Sequence, residues 1–427
     1  MHRVIEPNTA DADGLLEHAH DATAPEGVLF FHANEGQPLA TPWQVASLRA
    51  MMLREQPLEE GWILDPACGS GIQLAAYATV LQRPVLGVEL DPDRARASGV
   101  NLRTMAHHHG EKQADWMVNS TMVAGDGTDP SAVLAAVGDR AKQRVALLHL
   151  DPARPRNSRE HSLDEMQPPL PNVLKAWAPY LNDVSGRGPA LVLDLSPRLS
   201  ELQRLEVEGI VTDIWPDLAM TWEWTSRGRG RVDRLALWLG GASDPKALRR
   251  FVRVPQQLGT QPTVLRSLAN VEALKVRVHP PQRGEFVTVM DAALVESGLA
   301  AAWLSMVSKE NEHRWGEVEG RRPQVHHQHP LRVPPNEEHL VQASGRVVEL
   351  VTFNLDESTV DEVVAMALEH NLASVKLRVE LDPARHPRLQ GSLDRQLSRR
   401  HGSRDGFLVH HPSRDVMLLC VHQLDEG

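Results

Sequence analysis

Four acidic residues stand where chemistry could occur, each just beyond a short apolar run. Asp65 follows Trp62-Ile63-Leu64 and opens the turn Asp65-Pro66-Ala67-Cys68-Gly69-Ser70-Gly71. Glycines in such a turn let the backbone bend tightly and approach a ligand closely. The helical run that follows, IQLAAYATVLQ, offers unpaired N–H groups to a polar or anionic group. Glu89, in Gly87-Val88-Glu89-Leu90-Asp91, ends a second apolar run. An acid at that strand tip is where a doubly wound sheet holds the hydroxyl pair of a ribose. Asp126, in Ala124-Gly125-Asp126-Gly127, comes after the next helical run, where an adenine amino group could be met. Asp151 ends a fourth run in Leu150-Asp151-Pro152-Ala153-Arg154 and could orient a hydrogen-bond donor or act as a general base. Arg154 has two open readings: it stacks on a base or forks a phosphate, or it closes the turn with a salt bridge.

These residues need elements to hold them. From Gly61 onward, short apolar strands (GWILD, PVLGVEL, VALLHLD, ALVLDLS) alternate with helical runs, the pattern of a parallel α/β sheet. It predicts one doubly wound domain over 59–241, closed by the hairpin TWEWTSRGRGRVDRLALWLG. Residues 1–58 are expected to form an N-terminal helical segment. There Thr41 is the expected N-cap, Pro42 the first helical residue, and Val45, Leu48, Met51 and Met52 one apolar face. The stretch from Asp244, DPKALRRFVRVPQQLGTQPT, reads as a linker. Two small α+β units are expected beyond it, over 245–345 and 346–427, with no exact internal repeat.

Composition narrows the classes. The chain has 427 residues, 41% of them hydrophobic and 24% charged, which is ordinary globular usage. Two cysteines, Cys68 and Cys420, are too few for a disulfide framework or a thiolate zinc cluster. No apolar stretch reaches the roughly 20 residues of a membrane span, and the first residues lack a basic run followed by an apolar core. The expectation is a cytoplasmic protein with no membrane partner. A formal net charge of −11 argues against a chain coated in positive charge, although 376–414, with Arg378, Arg385, Arg388, Arg395, Arg399, Arg400 and Arg404, opposes that balance. This segment is either an RNA-phosphate surface or a solvated face. His107-His108-His109 is expected at a solvated helix end and His326-His327-Gln328-His329 in an exposed loop, so no metal site is expected. Cys68 is expected to pack as a small hydrophobe, and Trp215, Trp222 and Trp224 to pack the hairpin or line a base pocket.

Taken together, DPACGSG, GVELDPDRA, AGDG and LDPAR resemble the ordered motifs of class I S-adenosylmethionine-dependent methyltransferases, and DPACGSG differs from the GxGxxG of nicotinamide dehydrogenases. The resemblance implies an α/β, Rossmann-like domain with S-adenosylmethionine as cofactor. Asp65, Ala67, Gly69, Ser70 and Gly71 would cradle its methionine part, Glu89 would bind its ribose and Asp126 its adenine, with Leu90 and Gly127 also in the cofactor-binding set. It also implies Asp151, Pro152 and Arg154 as the catalytic set. The DPAR run is similar to the signature of a methyltransferase family with a THUMP-like C-terminal domain. LVLDLSPRL and WEWTSRGRGRVDRLALWL resemble later parts of that family. EFVTVMDAALVESGLAAAWL resembles its ferredoxin-like unit, and the segment from LRVELDPARHPRLQ to GFLVHH its THUMP-like domain. Two positions depart from pattern: Asp194 stands where that family implies a lysine, and Ala153-Arg154 replaces the Pro-aromatic pair of enzymes that methylate exocyclic base nitrogens. The implied activity is methylation of a nucleotide in structured RNA, tRNA or rRNA. A small-molecule methyltransferase and a non-catalytic module that binds RNA and cofactor are the alternatives.

Overall fold

The computed structural model describes residues 2–18, 21–33, 41–111, 113–153, 163–184, 186–257, 259–269, 274–277, 279–308, 313–400, 402–413 and 415–423. The chain forms two compact units. The first comprises Met1–Glu223, Arg234–Arg249 and Val254–Gln261; the second comprises Trp224–Asp233, Arg250–Arg253 and Pro262–Gly427.

In the first unit the elements follow in the order β1 (Arg3–Ile5), α1 (Trp43–Arg54), β2 (Trp62–Asp65), α2 (Ile72–Leu81), β3 (Val85–Glu89), α3 (Pro92–His108), β4 (Thr121–Ala124), α4 (Pro130–Val137), β5 (Val145–Leu150), α5 (Leu170–Trp177), β6 (Leu191–Leu195), α6 (Glu201–Thr212), β7 (Met220–Ser226) and β8 (Arg234–Leu239). The strands lie in the order β1-β4-β3-β2-β5-β6-β8-β7. Strands β4, β3, β2, β5 and β6 are parallel, while β1 on β4 and β8 on β6 are antiparallel. This is a doubly wound, Rossmann-like α/β sheet. The order reverses at β2, from which β3 and β4 run one way and β5 and β6 the other. Strands buried on both faces explain the unbroken apolar runs, and Trp62, Ile63 and Leu64 are fully buried. Burial of each such side chain stabilises the sheet by about 1.5–3 kcal/mol.

The first 58 residues contribute α1 and three short strands, β1 and the pair Leu16–His18 with Phe30–His32. Helix α1 starts at Trp43, one residue later than expected, and Thr41 is not its cap. The Asp21 carboxylate accepts from Trp43 N (2.6 Å) and the Thr23 hydroxyl from Gln44 N (3.1 Å), so the orphan donors are satisfied from a distant loop. The buried face also differs: Met51 is exposed, whereas Arg49 is buried.

The expected linker contains a strand, Arg249–Arg253, whose last four residues are buried. Within the second unit, Arg253 of this strand lies 2.8 Å from the Asp291 carboxylate and hydrogen-bonds Ser226.

The second unit orders its elements as β9 (Phe286–Met290), α7 (Ala292–Glu296), α8 (Ala300–Val307), β10 (His313–Glu317), β11 (Gln324–His327), β12 (Val341–Val351), α9 (Val360–Glu369), β13 (Leu372–Arg378), α10 (His386–Leu397), β14 (Arg404–His410) and β15 (Met417–His422). Its sheet runs β10-β11-β9-β12-β15-β14-β13, antiparallel except for β13 beside β14. Here the histidine tract is corrected. His326 and His327 are fully buried on β11, not in an exposed loop. Gly316 on β10 makes the room, since a Cβ there would sit 2.8 Å from the His326 ring. His327 Nε2 pairs with the Thr288 hydroxyl at 2.8 Å.

Among the described residues no helix is long and apolar enough to cross a membrane. No group of three or more His, Cys, Asp or Glu among them is placed to hold a metal ion.

Candidate functional site

Because β4, β3, β2, β5 and β6 are parallel neighbours, their carboxyl ends share one edge of the sheet. Asp65 ends β2, Glu89 ends β3, Asp126 lies two residues past β4, and Asp151 immediately follows β5. The reversal at β2 lies among them, the position at which open α/β sheets leave a ligand crevice.

The turn after β2 is held from three sides. Asp65 is buried, and its Oδ1 accepts from Ala67 N at 3.0 Å. Cys68 N donates to the Val88 carbonyl and Gly71 N to the Cys68 carbonyl, both at 2.9 Å. Gly69 (φ +56°) and Gly71 (φ +73°) take left-handed backbone that side chains disfavour. Their surroundings differ. A Cβ at Gly71 would meet Ser98 Oγ of α3 at 2.0 Å, whereas one at Gly69 would meet nothing within 4 Å. Gly71 therefore serves helix packing, and Gly69 faces open space. Ser70 is tied by its carbonyl to Asn101 Nδ2 (2.8 Å), and the same carboxamide bonds both backbone groups of Phe31. Cys68 packs against the apolar core; burial pushes its thiol well above its usual range, so it is not a thiolate nucleophile.

On the next strand tip, Glu89 Oε2 accepts from Gly69 N (2.9 Å) and Oε1 from Asp91 N (3.1 Å). Burial raises its pKa, partly offset by these two backbone donors. Leu90 beside it is 76% exposed, a large apolar side chain at the rim of the crevice. Asp126 is exposed, and its Oδ1 accepts from Thr128 N (2.8 Å) and Oγ1 (2.7 Å), which lower its pKa and keep it an ionised acceptor. Gly127 is buried beneath the turn, where a Cβ would lie 1.9 Å from the Pro66 carbonyl, and its own carbonyl accepts from Trp177 Nε1 at 2.8 Å. Asp151 is half-buried, Pro152 buried and Ala153 exposed, with Ala153 paired to Gln167 through two backbone hydrogen bonds of 2.8 and 2.9 Å. Arg154 lies outside the described residues.

A buried charged chain that sequence reasoning missed lies behind the turn. His149 on β5 is 1% exposed; its Nδ1 lies 2.7 Å from Asp65 Oδ2 and its Nε2 3.3 Å from Asp194 Oδ2. Asp194 on β6 is gripped by both terminal nitrogens of Arg49 from α1, Nη2 to Oδ1 at 2.7 Å and Nη1 to Oδ2. Arg49 Nη1 also reaches Gln73 of α2 at 3.3 Å. Burial alone would lower the His149 pKa, but the Asp65 and Asp194 carboxylates outweigh it and hold it at about 9. Burial would likewise raise the Asp194 carboxyl, and Arg49 with His149 holds it well below the usual range. At the position where a lysine was implied, the sheet thus carries the carboxylate, and its cation comes from α1. The signal in the sequence was a lone polar residue in each of two otherwise apolar strands, VALLHL and LVLDL.

Other expected candidates lie as follows. Trp222 and Trp224 are buried, Trp222 Nε1 donates to the Glu208 carboxylate at 2.6 Å, and Trp215 is half-buried. His107, His108 and His109 are exposed at the end of α3. On and after α10, Arg388, Arg395, Arg399, Arg400 and Arg404 are exposed and form no ion pair among the described residues, whereas Arg385 pairs with Glu357 at 3.0 Å.

No family model matches the chain, and no curated protein matches it. Among solved structures it is similar to an S-adenosylmethionine-dependent methyltransferase of Agrobacterium tumefaciens (14% identity over 53% of this chain and 69% of that one, TM-score 0.35). It is also similar to a precorrin-6y C5,15-methyltransferase of Geobacter metallireducens (12% identity, 49% and 94%, TM-score 0.32). A third is an rRNA methyltransferase of Streptomyces viridochromogenes (17% identity, 49% and 89%, TM-score 0.30).

Proposed function

We propose that this chain is an S-adenosylmethionine-dependent methyltransferase acting on a nucleotide of structured RNA, tRNA or rRNA. The observation that carries the reading is the gathering of the glycine-rich turn, Glu89, Asp126 and Asp151 at one edge of the sheet, around its reversal point. The residues present fit the donor. The space over Gly69 admits the methionine part beside Asp65, Ala67, Ser70 and Gly71. Glu89 keeps acceptor capacity for ribose hydroxyls beyond its two backbone donors. Leu90 offers an apolar surface to adenine, and Asp126, next to Gly127, an acceptor for its amino group. S-adenosylmethionine supplies the methyl group as an activated sulfonium substituent. Asp151, with Pro152 fixing its backbone, orients the target atom for in-line attack, and Arg154 is the accompanying cation.

The RNA half of the reading is supported by the five exposed arginines of the C-terminal region, which suit phosphate contacts. It places the protein in the cytoplasm. The test is transfer of labelled methyl from S-adenosylmethionine to total RNA of a deletion strain, with wild-type RNA as control. Label in the deletion RNA alone is the expected result. Donor binding without label in either pool would refute the RNA reading and leave a small-molecule enzyme or a non-catalytic binding module. Asp151→Ala is expected to keep donor affinity and lose turnover; surviving turnover would remove Asp151 from the catalytic set.

A further inference from the structure

A neutral imidazole has one N–H, so it can donate to one partner only and must turn a lone pair to the other. His149 has a carboxylate at each ring nitrogen, Asp65 at 2.7 Å and Asp194 at 3.3 Å, and is sealed from water that could mediate either contact. With Arg49 bound to Asp194, the chain Arg49–Asp194–His149–Asp65 balances two carboxylates against two cations only when both ring nitrogens carry protons. The far end of this chain is the turn itself, because the same Asp65 carboxylate accepts from Ala67 N.

We propose that His149, as a buried imidazolium, is the positioning residue that fixes Asp65 and thereby the shape of the donor turn, so that donor affinity depends on its second proton. This rests on the methyltransferase reading of the turn and goes beyond it by naming a control on donor binding from outside the binding residues. Without the second proton the chain keeps two carboxylates against one cation, the ring's remaining N–H can serve only one of them, and the hold on Asp65 and the turn weakens. The surroundings favour the charged ring. Asp65 and Asp194 face it directly, the Tyr77 ring packs edge-on at 5.4 Å from α2, and Tyr77 stays a neutral phenol because burial raises it. Beyond Asp194 stand Arg49 from α1 and Arg234 from β8, and Glu223 from β7 acts on Arg49.

The test uses the full chain and two readouts. Long-range proton–nitrogen correlation spectra, with His149 assigned by comparison with His149→Gln, should show a doubly protonated ring at pH 7.5. The dissociation constant for S-adenosylhomocysteine, measured from pH 6.5 to 10.5, should be flat up to about pH 9 and then weaken about tenfold per pH unit. In Asp194→Asn, where one carboxylate is removed, that weakening should begin at lower pH. A singly protonated ring at pH 7.5 overturns the proposal and leaves the donor reading standing. A doubly protonated ring with pH-independent affinity also overturns it, making His149 structural only. Absence of binding at every pH, with the ring doubly protonated, overturns the donor reading and the linkage built on it.

Discussion

Replacing Arg49 with methionine would remove one cation from a buried group of four charges and leave Asp194 with His149 as its directly bonded cation. Arg49 and Asp194 side chains are each 2% exposed and meet through two nitrogen–oxygen contacts, so neither can find water when its partner is lost. Unit charges about 4 Å apart interact by about 4 kcal/mol at an effective dielectric of 20. Removing one member of such a pair costs about 3–5 kcal/mol, because the other stays buried without compensation. Arg49→Met and Asp194→Leu should therefore each destabilise the first unit by about that amount. The double variant retains His149 with Asp65, one cation with one anion, and should cost no more than either single change. The cycle would depart from additivity by about 3 kcal/mol, the upper end for residues in contact. Hydrogen exchange in increasing urea, read on peptides from β2, β5 and β6, assigns the loss to this sheet. A double variant as unstable as the two singles summed, or an Arg49→Met change below about 1 kcal/mol, would refute the picture of a charge-balanced chain.

Three further outcomes are expected. Gly71→Ala should destabilise by about 3 kcal/mol, combining left-handed strain with a Cβ driven onto Ser98, while Gly69→Ala should cost about 1 kcal/mol from strain alone; equal denaturant midpoints would refute the distinction. His149 is held at about 9 when folded against 6.5 unfolded, so its contribution of about 3 kcal/mol is complete below pH 6.5 and disappears as pH rises through 9. Thermal midpoints should fall across that window, and less in His149→Gln. Burial holds His326 down at about 3 and His327 at about 4, so both are neutral when folded and take up protons on unfolding below pH 6.5. The second unit should lose about 1.4 kcal/mol per pH unit for each as acid is added, and His326→Leu should remove one of the two slopes; an unchanged slope would sink this account.

The sheet and its edge were legible because a parallel strand buried on both faces is written as a mainly apolar run with an acid at or just after its end. WILD and VLGVE end on their acids, and VALLHL is followed directly by Asp151, with His149 its one polar residue. The charged chain behind the turn was not legible in the same way. Arg49 and Asp194 are 145 positions apart, and a helix period or strand alternation says nothing about which polar side chains meet across layers. His326 and His327 were expected in an exposed loop because their spacing is loose and no acid stands near in sequence; what decides their burial is a glycine on the adjacent strand and a hydroxyl partner, Thr288. Asp21 and Thr23 cap α1 from a loop some 20 residues earlier, so a local cap at Thr41 was the wrong place to look.

The division of the chain has a consequence for synthesis. The polypeptide passes from one unit to the other after residues 223, 233, 249, 253 and 261, so neither unit is a continuous stretch. A ribosome making this protein cannot release a finished first unit until Gln261 has left the exit tunnel. By then Trp224–Asp233 and Arg250–Arg253 are already waiting for partners still to be translated. A stall or cleavage within 224–261 would strand both units incomplete at once.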